Sequence, residues 1–262
     1  MSERALSNKI AVVTGAGKGI GRAIAERLAA DGADCFLLAR SDAALAEVAG
    51  AIEGKGRAAG WAAIDLATLA GCEAAAKAAL DRFGRIDILV NCAGATRAGA
   101  FPEQPDADWM AGFDLKFHGA VRLTRLFWPA LKEARGTVVN IGGGAAYTPG
   151  PGFMVGGAVN AALAHFSKAL ATQGIKDDVN VNIVHPGMTV TDRMQKMIEQ
   201  RAAASGTTVE EERARTLASS GMRRLGQADD VANVVAFLCD PAARHIQGVQ
   251  IAVDGGATTG LH

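Results

Sequence analysis

The chain has 262 residues, 49% of them apolar, and its 27 basic and 27 acidic side chains leave no formal net charge. Without a basic stripe there is no electrostatic footprint for nucleic acid, and no apolar stretch reaches the ~20 residues of a membrane span. No leader-like stretch opens the chain, so a cytoplasmic protein is expected. Residues 9–14 (KIAVVT) predict a buried strand, and 21–30 a helix with Ile24 and Leu28 on one face and Gly32 placed to stop it. Residues 35–39 (CFLLA) predict a second strand, 42–52 a helix, 58–64 a third strand, 70–83 a helix and 86–91 (IDILVN) a fourth strand. A long helix is expected over 109–131, ending near Pro129, then a strand over 136–141, a helix over 155–174 and a strand over 180–184. A helix over 229–238 and a seventh strand over 249–253 complete the pattern. Strands this apolar are covered on both faces, which implies a parallel sheet between helical layers. Regular β–α alternation makes it doubly wound, an α/β fold in a single unit spanning 1–262.

Residues 191–225 break the rhythm: the stretch is long and charged, with Met188, Met194 and Met197 near its start. Two readings are open, a lid over a substrate pocket or a solvated helical pair. Cys35, Cys72, Cys92 and Cys239 lie far apart with no CxxC pair, so neither a metal site nor a disulfide framework is expected.

Between the first strand and the first helix stands Thr14-Gly15-Ala16-Gly17-Lys18-Gly19-Ile20-Gly21. Glycines there allow a tight turn, bring backbone N–H groups to a phosphate, and aim the helix N-terminus at it, the Rossmann arrangement for a dinucleotide. A carboxylate at the end of the second strand would hold the ribose 2′-hydroxyl of NAD. This chain has Ala39 and Arg40 there, with Lys18 inside the turn. Two cations without a carboxylate favour the 2′-phosphate of NADP over NAD.

With these motifs the chain resembles the short-chain dehydrogenase/reductase family over nearly its whole length. Thr14 to Gly21 fits TGxxxGIG, Asp65-Leu66 the pair that contacts adenine, and Asn91-Cys92-Ala93-Gly94 the NNAG segment with Cys in its second place. Pro186-Gly187, with Thr189 and Thr191, fits the PGxxxT segment that meets the nicotinamide carboxamide, while Arg224-Leu225-Gly226 and Asp254-Gly255-Gly256 fit two late signatures. The resemblance implies an oxidoreductase acting on a small molecule and assembled as a homotetramer or homodimer. It also implies a catalytic Asn, Ser, Tyr and Lys, whose places fall here on Lys116, Gly143, Gly156 and Asn160.

None of those four side chains is kept, and a positioned acid/base is typically worth about 10²–10⁴ in rate. Lys and Asn have, however, exchanged places, Lys116 for Asn and Asn160 for Lys, which reads either as Lys116 reaching the ribose or substrate from the other side and restoring a cation, or as coincidental drift on two faces. Tyr147, the only tyrosine, reads either as a relocated acid or as a packing residue of the rim. Gly142-Gly143-Gly144 reads either as a backbone cradle for an anion or as slack chain. His118, His165 and His185 read as structural, with His118 a reserve acid. Two functions follow: reduction of a substrate needing little proton assistance, or NADP binding without redox turnover, as a sensor, scaffold or partner subunit. Elimination chemistry on the same fold fits less well.

Overall fold

Seven apolar runs become the seven strands of one parallel sheet in the computed structural model, which describes residues 5–258. The strands are β1 (Ile10–Thr14), β2 (Asp34–Ala39), β3 (Ala59–Ala63), β4 (Ile88–Asn91), β5 (Thr137–Ile141), β6 (Asn180–Pro186) and β7 (Gln250–Val253). Their spatial order is β3-β2-β1-β4-β5-β6-β7. The helices are α1 (Gly19–Ala30), α2 (Asp42–Glu53), α3 (Leu69–Phe83), α4 (Asp106–Gly112), α5 (Gly119–Ala134), α6 (Met154–Asp177), α7 (Asp192–Ser205), α8 (Val209–Ser220) and α9 (Ala228–Cys239). Strand side chains alternate between two cores. Val13, Leu37 and Val184 meet Ile24, Leu28, Leu45 and Val235, from α1, α2 and α9, on one face. Val12, Phe36, Leu89 and Val138 meet Ala75, Leu123 and Phe127, from α3 and α5, on the other.

The strand order reverses beside β1, which pairs with β2 on one side and β4 on the other. In such a sheet the crevice outside the carboxyl ends of the strands at that reversal is where a ligand lies. At the opposite end the buried Asp87 carboxylate ties strands together, accepting from Ile10 N at 3.0 Å, Lys9 Nζ at 3.1 Å and both Nε and Nη2 of Arg85.

Three expectations need correction. The long helix does not end near Pro129: α5 runs to Ala134 and stops at Arg135, in left-handed conformation at φ 50°. Proline removes one backbone bond, but Phe127 and Leu131 flank it fully buried, and their packing keeps the helix whole. Nor is the stretch from α4 to α5 one regular helix, because Phe113–His118 forms a π-helical turn between them. Finally, Gly174 does not stop α6, which continues to Asp177. A Cβ at 174 would stand 2.2 Å from the Val179 carbonyl oxygen, so this glycine lets the returning chain cross the helix on its way to β6.

The stretch 191–225 holds α7 and α8, packed as a pair over Met194, Ile198, Met222 and Leu225, all buried. Its two ends are pinned: Val190 N donates to Gly226 O at 2.8 Å and Gly226 N to Met188 O at 2.9 Å. Among the described residues no helix is long and apolar enough to cross a membrane.

Candidate active site

The glycine turn is built by close backbone approach. Gly15 has φ +68°, and a Cβ there would stand 3.1 Å from Ala93 Cα. A Cβ at Gly21 would stand 2.2 Å from Gly15 O, so α1 sits directly on the turn. Thr14 Oγ1 locks the turn to the end of β4, accepting from Cys92 N at 2.9 Å and Ala93 N at 2.8 Å. Gly17 packs against Ala39 and Ala44, bringing exposed Lys18 to the corner where Arg40, also exposed, leaves β2. The first turn of α1 has no side-chain cap and no acidic residue, so its N–H groups face the groove with nothing negative beside them. A dinucleotide phosphate fits this cradle.

Other predicted contact residues stand along the same edge. Asp65 follows β3, exposed, with Oδ1 accepting from Ala67 N at 3.0 Å, and Leu66 beside it is buried. Asn91, at the end of β4, donates to Thr124 Oγ1 at 3.0 Å and Asn140 Oδ1 at 2.8 Å. Asn140 in turn donates to Ser167 Oγ at 2.8 Å, a buried polar chain that fixes β4, β5 and α6 together. Ala93 and the exposed Gly94 follow Asn91. Pro186 ends β6, and Gly187 passes so close to Asp254 that a Cβ would stand 2.6 Å from Asp254 Cβ. Thr189 pairs with Gly226 as a short parallel bridge. Thr191 caps α7 and lies over Gly19, at 3.3 Å from where a Cβ of that glycine would be.

The remaining residues gather at the tip of β5. Lys116, on the π-helical turn, donates from Nζ to Gly142 O at 2.9 Å, and its stem lies across Gly94, whose Cβ would stand 2.8 Å from Lys116 Cδ. It therefore bridges the loops after β4 and β5, as π-turns often do at functional sites. Asn160 is buried on α6, with Nδ2 at 2.7 Å from a Cβ placed on Gly143 and with no partner for Oδ1 among the described residues. Lys116 thus contacts Gly142 and Asn160 lies against the adjacent Gly143.

Tyr147 is also here, but turned toward the sheet. Its hydroxyl bonds Gln250 Oε1 and lies 3.1 Å from His185 Nε2, while His185 Nδ1 lies 3.2 Å from Gly143 N. His185 Nδ1 also lies 3.2 Å from Gly143 O, so the imidazole tautomer decides whether it accepts from Gly143 N–H or donates to Gly143 O, while the phenol proton goes to Gln250. Burial raises the Tyr147 phenol above its usual value of 10.0. His185, 1% exposed, is buried between Gly143 and Tyr147 and links the two, which agrees with the structural role expected of it. His118 instead pairs with Asp114 at 3.1 Å on its own helical turn. The backbone at Gly142–Gly144 is not slack. Gly142 N donates to Val184 O at 2.8 Å, and both Ala146 and Tyr147 bond back to the loop.

Phe153, which the sequence did not single out, lies across Gly156. A Cβ at 156 would stand 2.0 Å from Phe153 Cε1 and 2.1 Å from Cζ. The aromatic residue three places before a glycine near a helix start was the only signal for this contact.

A family model described as short chain dehydrogenase matches residues 9–202. The chain is 34% identical over 252 residues to the 3-oxoacyl-(acyl-carrier-protein) reductase FabG of Escherichia coli, covering 95% of this chain and 96% of that one. It is 32% identical over 248 residues to the short-chain reductase protein NovJ of Streptomyces niveus, covering 94% and 93%. Among solved structures, L-sorbose reductase of Gluconobacter frateurii, complexed with NADPH and L-sorbose, superposes with a TM-score of 0.95 at 32% identity, covering 99% of this chain and all of that one.

Proposed function

Because the chain belongs to the short-chain dehydrogenase family, we propose that it is an NADP(H)-dependent oxidoreductase whose active site works without the usual Ser, Tyr and Lys. The oxidoreductase assignment is common to the relatives, and NADP is supported by the NADPH of the L-sorbose reductase complex together with Lys18 and Arg40 at the groove's corner. The nicotinamide, when bound, supplies or takes the hydride. Gly15, Gly17, Gly19, Ile20 and Gly21 would hold its pyrophosphate, Asp65 and Leu66 the adenine, and Asn91, Ala93, Gly94, Pro186, Gly187, Thr189 and Thr191 the nicotinamide end.

The observation that carries the reading is the junction at β5, where Lys116 bonds Gly142 at 2.9 Å and Asn160 faces Gly143. Lys116 returns a positive charge to the loop that faces substrate, stabilising negative charge that develops on it. Asn160 Oδ1 is buried with no partner among the described residues, so it would accept a ribose hydroxyl only if binding opens a way to it. Tyr147 holds the Gly143 loop in place through His185. Glycine at 143 and 156 supplies no side-chain proton, so the substrate is one that accepts hydride with little protonic help, an activated double bond or an iminium. We take the chain as one dinucleotide-binding unit, with 191–225 as its lid, working as a homotetramer or homodimer.

A second reading, NADP binding without turnover, is favoured by the Phe153 ring seated beside Gly156, where no proton donor remains. Fluorescence titration with NADPH and NADH, followed by NADPH oxidation against ketones, enones and imines, separates the two. Turnover confined to enones or imines supports the enzyme. Tight binding without turnover on any class supports the second reading, and no affinity for either nucleotide refutes both.

A further inference from the structure

We infer that Phe153 is a specificity-determining residue of this pocket, an aromatic shelf made available by Gly156 that selects ligands carrying an aryl group. The inference rests on the proposed function only in placing the substrate at the tip of β5.

The argument begins with a missing side chain. Phe153 Cε1 and Cζ lie 2.0 and 2.1 Å from the point a Cβ on residue 156 would occupy, so the ring and any side chain at 156 exclude one another. Aromatic ring and bare backbone are therefore one feature: the glycine admits the ring, and the ring covers the glycine. Residues 156 and 160 are four apart on α6 and share a face. That face holds the ring, then Asn160, whose amide lies against Gly143.

The backbone at Phe153 is held on both sides. Phe153 N donates to Gly150 O at 3.1 Å and Gly157 N to Phe153 O at 2.9 Å, which fixes the residue at the start of α6. Gly99 N donates to Gly152 O at 3.1 Å, which ties the segment before it to the loop after β4. Phe153 itself is half-buried, and on this proposal its exposed part is what meets the ligand. An aromatic face recognises a second flat π-system by offset or edge contact, and a flexible aliphatic chain gains less from it.

The test compares benzylideneacetone with mesityl oxide, two enones that differ in carrying an aryl or an alkyl group. Both are titrated into NADP+-loaded protein by calorimetry, and their rates of NADPH oxidation are followed alongside. Phe153→Ala should weaken benzylideneacetone about tenfold and mesityl oxide less than about twofold, with the NADP+ Kd unchanged. Phe153→Leu, which keeps apolar bulk without a ring, should show the same selective loss and covers the case in which the alanine variant does not fold. Gly156→Ala should reproduce that loss by displacing the ring. Equal losses for the two enones, no loss for either, or no binding of either by the unmodified protein would overturn the shelf. Selective binding without any NADPH oxidation would leave the shelf standing and count against an enone as the substrate of the redox reading. Oxidation with an unchanged aryl preference in Phe153→Leu would do the reverse.

Discussion

Replacing Arg40 by alanine is expected to weaken NADPH about tenfold and leave NADH binding unchanged. The magnitude follows from where the guanidinium stands. A hydrogen bond between a charged donor and a phosphate contributes about 1.5–3 kcal/mol. Arg40 is exposed at the end of β2, where water and salt screen it, so the low end applies. About 1.4 kcal/mol corresponds to the tenfold change. Lys18, exposed on the adjoining turn, supplies the rest of the field, so the Lys18→Ala/Arg40→Ala pair should lose about a hundredfold if the two contacts add. Titrating NADPH and NADH fluorescence at two ionic strengths is the assay. The wild-type preference for NADPH should shrink in high salt, and that of the double variant should change little. If Arg40→Ala weakens both nucleotides alike, or if NADH binds the native protein as tightly as NADPH, the cations do not read a 2′-phosphate and the cofactor argument fails.

Lys116→Met should lower kcat/KM roughly ten- to a hundredfold with a modest loss of stability, about 1–2 kcal/mol for the Gly142 carbonyl left without its donor; unchanged NADPH affinity and turnover would remove Lys116 from the site. Tyr147→Phe should cost less than about tenfold in kcat, because its proton goes to Gln250 and the phenol, raised by burial above 10.0, stays protonated through neutral and mildly basic pH. No phenolic break below pH 10.0 is therefore expected in the rate profile, whereas abolished turnover in the variant would make Tyr147 the acid after all. Asp87→Ala should destabilise by about 2–3 kcal/mol, since it strands the buried Ile10 N–H, and thermal unfolding should shift down by roughly 4–12 °C; no shift would refute the account of the sheet's lower edge. The Asp230 carboxyl is held down to about 2 by the Arg224 guanidinium and the Gln227 N–H. A depressed folded value adds stability above the ordinary carboxyl value of 3.8, lost as pH falls through about 2. The stability difference between native protein and Arg224→Ala should accordingly close over that interval, and a difference that persists at the acid end would contradict it.

The strands, their order of appearance and the glycine turn were legible in the sequence because each depends on neighbours in the chain. A short β-branched-rich apolar run such as Ile10–Thr14, bounded by a glycine turn, reads as a buried strand, and Gly15 and Gly21 serve a turn closed within a few residues. The places of Lys116, Gly143, Gly156 and Asn160 could be named only through the family resemblance. What stands in those places could not be read. The π-helical turn under Lys116, the continuation of α5 through Pro129 and of α6 through Gly174, the Gly143–His185–Tyr147–Gln250 chain and the Phe153 ring over Gly156 were decided by tertiary structure. The hydrogen-bond chain joins segments far apart in sequence, and the others, though local, are settled by which atoms compete for one volume. A linear pattern reports which side chain is missing, and only packing reports what moves into the space.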